Sequence, residues 1–443
     1  MVGDSRRSVT LSLLLVLLVL FEGLAGCGAR STLRADGGDG DGGAGGSPAT
    51  STSGGFGGAG GSGGAGGDDR FVCVQLSWAG DAIPISLPFA PLAEPELVRV
   101  GPDEVALVVR GNDGAGGLVT SLRVSGAFAD GWAPTIGAAD ANFPTNEVFA
   151  VGEGEPGSFA FAVGQPGSQE RVLAQAEPGQ NGSQFVTYFS SDGGARALAR
   201  DALGSYAVAR GDVSVFVDVL DAWTPDTFVR TYGGLGCADT APLAGVVPTS
   251  DGAFLVASTA DQPFDDCSDP DLPGPPLAAH VYRLDGDAAI QGSAYSEPAP
   301  VRALALAPRE EGAWLLLARA GSPTVTLQAL DDLGLAVGNP WTWTHSTAST
   351  SHDLARLRRG YALATTHDAG QDAGQLLLTA VRDGADFTNF AMTSADELGV
   401  QAAGKPGILV DEERGRILVA VIDASSSSGG VRLMRADCGF VGE

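Results

Sequence analysis

This sequence predicts an all-β fold, a ring of about seven small repeated sheets, and three observations carry that expectation. From Phe71 onward, short runs of Val, Leu, Ala and aromatic residues alternate with Gly, Asp and Pro turns, and helical periodicity is scarce. A glycine-led apolar strand recurs at a nearly constant interval. The two ends of the repeated region carry leftover strands that complement each other.

The recurring strand reads "GSFAFAVG" from Gly157, "GSYAVARG" from Gly204, "GAFLVAST" from Gly252, "GAWLLLAR" from Gly312, "GYALATTH" from Gly360 and "GRILVAVI" from Gly415. Successive glycines are separated by 47, 48, 60, 48 and 55 residues, and a degenerate first copy, "DEVALVVRG" from Asp103, makes seven. Preceding strands are visible in "LAGVVPTSDG", "VRALALAPREEG" and "DLARLRRG", and following ones in "LVTSLRVSG", "HVYRLDG", "TVTLQAL" and "QLLLTAVRDG". Three or four short strands in about 50 residues match the blade of a β-propeller, whereas a β-sandwich needs about 100 residues per unit. The repeats resemble that superfold in general and carry no WD dipeptide, kelch double glycine or other blade signature.

The seventh repeat runs out after "GGVRLMRADCGF", one strand short, while "RFVCVQLSW" (Arg70 to Trp78) stands ahead of the first repeat with no blade of its own. A seven-bladed propeller whose N-terminal strand completes the last blade uses both and leaves no open sheet edge. Cys73 lies in that first strand and Cys438 just after the last one, so this closure predicts a bond between them.

Ahead of the repeats, Arg6 and Arg7 precede the apolar run "LSLLLVLLVLF", the pattern of a secretory signal too short for a comfortable membrane span. "LAGC", Leu24 to Cys27, resembles a bacterial lipobox. That resemblance implies cleavage before Cys27, a diacylglycerol thioether on its sulfur and acylation of the freed amine. Two or more acyl chains hold a protein on a membrane without a transmembrane helix. Residues 35–69 are almost entirely Gly, Ala, Ser, Thr and Asp, with too little apolar surface to offset ordering entropy, and read as a flexible tether. The expected organisation is therefore a signal peptide over 1–26, a lipidated cysteine and tether over 27–69, and the propeller over 70–443. The resulting location is the bacterial cell envelope, extracytoplasmic and membrane-anchored, with the propeller a monomer.

The 443-residue chain carries 53 acidic and 26 basic residues, a formal net charge of -27. Such a balance argues against nucleic acid, whose binding needs a basic footprint, and against electrostatic adhesion to anionic lipid. With Cys27 set aside, four cysteines remain in an oxidising compartment. The architecture favours Cys73–Cys438 and Cys237–Cys267. The second pair joins the loop entering repeat four to a loop inside it, and in a propeller those loops emerge on one face. No C-x-x-C spacing supports a metal reading of these cysteines.

Chemistry is sparse. His280, His345, His352 and His367 share no ligand spacing, and His352 and His367 read as turn residues around the opening strands of repeat six. The loop around Cys267 carries Asp261, Asp265, Asp266, Asp269 and Asp271. Converging carboxylates suit calcium, and Asp265, Asp266, Asp269 and Asp271 are the candidate ligands; a solvated acidic insertion, made turn-like by its prolines, is the simpler reading. No other cofactor is implied. Trp314 occupies a core position shared with Phe254 and Tyr206, and Trp341 and Trp343 read as inter-blade packing rather than a carbohydrate platform. The expectation is a binding, recognition or scaffolding module using propeller loops, with an unidentified protein or glycan ligand. The alternative is a lyase or hydrolase with its site at the channel, recognisable by titratable residues converging there.

Overall fold

Each recurring glycine ends the turn between the first and second strands of a sheet, and that position explains the repeat. Five of the six have a positive φ, from 64° at Gly415 to 96° at Gly204, a conformation that L side chains disfavour. At Gly312 the space is also closed: a Cβ there would lie 2.1 Å from the Leu330 carbonyl oxygen. The aromatic or apolar residue that follows turns into the core, so Phe159, Tyr206, Phe254, Trp314 and Tyr361 are all buried.

The computed structural model describes residues 73–440 except 92–93, 113–116, 139–142, 145–147, 165–169, 181–182, 190–193, 212–214, 222–228, 233–242, 261–277, 285–290, 298–299, 349, 358–359, 371, 383–389 and 426–429. These form seven antiparallel sheets, the blades of a β-propeller. Blade 1 is built on Glu96–Arg99, Glu104–Asn112 and Gly117–Ser125. Blades 2 to 6 have four strands each, in sequence order from the centre outward. Their innermost strands are Val148–Glu153, Ala195–Arg200, Ala244–Pro248, Val301–Pro308 and Thr350–Leu357. Among the described residues the only helical element is a single 3-10 turn, Asp396–Leu398.

Blade 7 runs Ala402–Asp411, Arg416–Asp423, Gly430–Phe440 and then Cys73–Trp78 as its outermost strand. The N-terminal strand pairs antiparallel with the last one, Leu76 opposite Cys438 and Trp78 opposite Ala436, so the expected closure is present. Cys73 and Cys438 are disulfide-bonded with Cα atoms 5.0 Å apart, and the Trp78 indole donates to the Ser394 carbonyl of blade 6 at 2.8 Å.

Second strands such as "AWLLLAR" and "GYALATTH" are buried along almost their whole length. They face a neighbouring blade on both sides, which is why they read as continuous apolar runs rather than alternating ones. Apolar clusters fill the seams, for example Trp314, Leu316 and Val325 against Leu354, Tyr361 and Leu363 between blades 5 and 6. The seam that closes the ring has a polar latch as well. Arg435 of blade 7, 2% exposed, donates to the Ala129 carbonyl of blade 1 at 2.7 Å and stacks over Trp132, and Arg414 and Arg416 both donate to the Phe128 carbonyl.

Candidate functional site

The innermost strands surround a central channel holding a cavity of about 460 Å³. Three of them break their pairing near the end where they begin, and each interruption contains a basic residue. In blade 3, Arg196 lies between Ala195, opposite Arg210, and Ala197, opposite Ala209. In blade 5, Arg302 occupies the same position between Val301 and Ala303. In blade 7 the interruption spans Gly404 to Pro406, between Ala403 and Gly407, and Gly404 takes a φ of 70°. A bulge of this kind re-aims a side chain out of the regular alternation, and the side chain it re-aims is Lys405, the sole lysine of the chain.

Arg196 and Lys405 line the cavity, together with Arg110, Glu94, Glu96 and Asp353. Arg302 instead turns to the adjacent blade and donates to the carbonyl and hydroxyl oxygens of Thr350. The Lys405 ammonium lies 3.2 Å from Asp353 Oδ1 and 4.0 Å from Glu96 Oε1. Asp353 Oδ2 accepts from the Ile408 amide at 3.1 Å. Burial opposes the Lys405 charge, but Asp353, Glu96 and Glu94 outweigh it and hold the ammonium above the ordinary lysine range. Burial raises the Glu96 carboxyl, partly offset by Lys405 and reinforced by Asp353 and Glu94. Blades 2 to 5 supply an apolar wall, Val151, Leu198, Val246, Leu304 and Leu306. No Ser, Thr, Cys or His is among the described lining residues.

The histidines differ from the sequence expectation. His352 and His367 are strand residues, not turn residues, because the blade 6 hairpin pairs Thr350 with His367 and His352 with Thr365. His345 follows the last strand of blade 5 and joins them, its ring centroid 5.4 Å from that of His352 and 5.2 Å from that of His367. Trp343 Nε1 donates to His345 Nε2 at 2.6 Å, and Trp341 and Trp343 stack with centroids 4.3 Å apart in the seam between blades 5 and 6. Both nitrogens of His352 share hydrogen bonds with threonine hydroxyls, Thr350 at 2.9 Å and Thr365 at 3.0 Å. No cluster of His, Cys, Asp and Glu among the described residues has the arrangement of a metal site. The fourth histidine, His280, shares a 3.0 Å hydrogen bond with Ser296 in blade 4.

Burial, reinforced by His367 and Arg302, pushes His345 down to about 4. Burial likewise lowers His352 well below its usual value, and lowers His367 against the pull of Asp372 and Asp368. The unfolded chain therefore takes up these protons first, near pH 6.5, so stability is full above that pH and falls as pH drops through it. Each proton contributes a slope of about 1.4 kcal/mol per pH unit. Thermal melts between pH 7.5 and 5.5, above the carboxylate range, should show this loss, and His352→Gln should flatten it. Parallel curves for the two proteins would contradict the assignment.

Of the residues singled out in the sequence, Cys73 and Cys438 are brought together as expected. Cys27, Cys237, Cys267 and the acidic loop from Asp261 to Asp271 lie outside the described residues. The channel residues carried no local signal beyond Gly404 and Pro406 flanking Lys405.

No protein-family model matches the chain, and no curated protein matches it. Among solved structures, a functionally unknown protein from Desulfotomaculum acetoxidans is similar over 62% of this chain and 78% of its own, at 12% identity and a TM-score of 0.40. A gluconolactonase from Xanthomonas campestris is similar over 81% of this chain and 98% of its own, at 15% identity and a TM-score of 0.39.

Proposed function

We propose that this chain is an extracytoplasmic lipoprotein, anchored through Cys27 and its glycine-rich tether, whose propeller binds a small polar ligand in the central channel. The observation that carries the binding role is the convergence of Arg110, Arg196, Lys405, Glu94, Glu96 and Asp353 on one cavity. Its volume falls within the usual range of small-molecule sites. Channel binding is favoured over binding at the outer loops because strand positions hold these groups more rigidly than loops do.

Converging titratable groups are also the mark of a catalytic site, and burial raises the Glu96 carboxyl among them. Binding is nevertheless the better reading. Lys405 is held charged by its carboxylate neighbours and is a poor nucleophile, and the described lining offers no hydroxyl, thiol or imidazole. Saturation-transfer NMR of the full chain against a library of small polar compounds tests the proposal. Hits are expected, and Ala197→Trp, which fills the channel, should abolish them. Hits that survive this substitution, or none at all, would contradict it.

A further inference from the structure

We infer that the channel ligand is a small organic carboxylate with an apolar body; this rests on the channel-binding reading above. The chain has twice as many acidic as basic residues, 53 against 26, yet three of its basic residues line one cavity. Two of the three, Arg196 and Lys405, are placed there by interruptions of innermost strands. Bulged residues are aimed by the backbone rather than by the alternation of the strand.

The charges in the cavity are unevenly compensated. Lys405 is already occupied by Asp353 and Glu96. Arg110 is not: its Nε is buried without a hydrogen-bond partner, and it forms no ion pair among the described residues. Arg110 lies at the same end of the channel as the bulges. Glu96 pairs with Val108 across blade 1, so Arg110 sits just beyond the start of the innermost strand. No described carboxylate is paired with the Arg110 guanidinium, and an anionic oxygen supplied by a ligand in the cavity compensates it through a charge-assisted bond. The planar guanidinium fork suits a carboxylate, which it can grip with two parallel bonds.

The opposite wall decides between kinds of anion. Val151, Leu198, Val246, Leu304 and Leu306 offer nothing to a bare inorganic ion and favour removing an apolar group from water. A carboxylate head on Arg110 with a compact hydrocarbon body against that wall matches both surfaces. Glu94 lies in the same cavity and repels such a ligand.

Titration calorimetry of the full chain with phenylacetate, its neutral analogue phenylacetamide and inorganic phosphate tests this inference. Phenylacetate should bind at least ten-fold more tightly than either of the others. Arg110→Gln should weaken phenylacetate about ten-fold, whereas Glu94→Gln should tighten it several-fold. These opposite effects separate a ligand contact from general loss of structure. Equal binding of acid and amide, tighter binding of phosphate than of phenylacetate, or weakening by both substitutions would overturn the inference. If neutral compounds bind and are lost in Ala197→Trp, the channel reading stands and only the carboxylate assignment fails. Binding that persists in Ala197→Trp removes both.

Discussion

Reduction of the Cys73–Cys438 bond, or its removal by Cys438→Ser, should lower the unfolding free energy by on the order of 5 kcal/mol. The bond closes a loop with a sequence separation of 365 residues, and in the chain-entropy model the constraint on the unfolded state grows with loop length. Its position adds a structural consequence. The bond joins the outermost strand of blade 7 to its neighbour, and that outermost strand comes from the other end of the chain. Denaturant unfolding with and without reductant measures the stability loss. Limited proteolysis should then show early release of the segment around Cys73–Trp78, before the blades themselves are cut. A reduced protein with an unchanged midpoint would mean that strand pairing and the Trp78–Ser394 contact hold the closure without the disulfide.

Asp218→Ala should cost about 3–5 kcal/mol, the usual penalty for stripping a buried charge of its partner. Arg210 Nε lies 2.5 Å from Asp218 Oδ2, with side chains only 1% and 0% exposed, and its Nη2 reaches the other carboxylate oxygen at 3.1 Å. Thr231 donates to the same carboxylate at 2.7 Å, and the guanidinium sits 4.9 Å from the centre of the Phe216 ring. Burial, with the Asp218 charge second, pushes the nearby Tyr188 hydroxyl above its ordinary range. The Arg210–Asp218 pair is thus buried, with the exposed Thr231 closing its outer side. The double replacement Arg210→Met with Asp218→Leu should be much milder than either single change, because no charge is left uncompensated. Urea midpoints for the three variants, compared at constant slope, check this. A loss below about 1 kcal/mol for Asp218→Ala would show that water reaches the site.

The repeat was legible because its signals are local. Glycine at Gly157, Gly204, Gly252, Gly312 and Gly415 is required by a backbone angle, and the strands after it are apolar because blades cover both faces. Closure was legible because two incomplete ends add up to one blade. The channel was not. Arg110, Arg196 and Lys405 are distant in sequence and meet only once the ring is closed, and Arg110 and Arg196 sit in stretches that read as ordinary strand. The strand interruptions that aim Arg196 and Arg302 involve no glycine or proline, so no turn chemistry announces them. The histidine cluster lay between these cases. Once Leu357 is known to pair with Gly360 in the blade 6 hairpin, the pairing of His352 with Thr365 and of Thr350 with His367 follows. The addition of His345 depends on packing between blades, which no spacing reveals.

Because Lys405 is the sole lysine, its ε-amine reports on the channel without interference from any other. The central claim is that the channel is a ligand site walled in part by Lys405, Asp353 and Glu96. Acylation of Lys405 by an amine-reactive reagent, followed by peptide mass spectrometry on the full chain, tests it most directly. The account predicts slower modification than for a free lysine side chain, since Asp353 and Glu96 hold the ammonium charged. It also predicts further slowing when phenylacetate or another channel-bound compound is added. Modification at the rate of a free lysine, unaffected by any compound that binds, would contradict it.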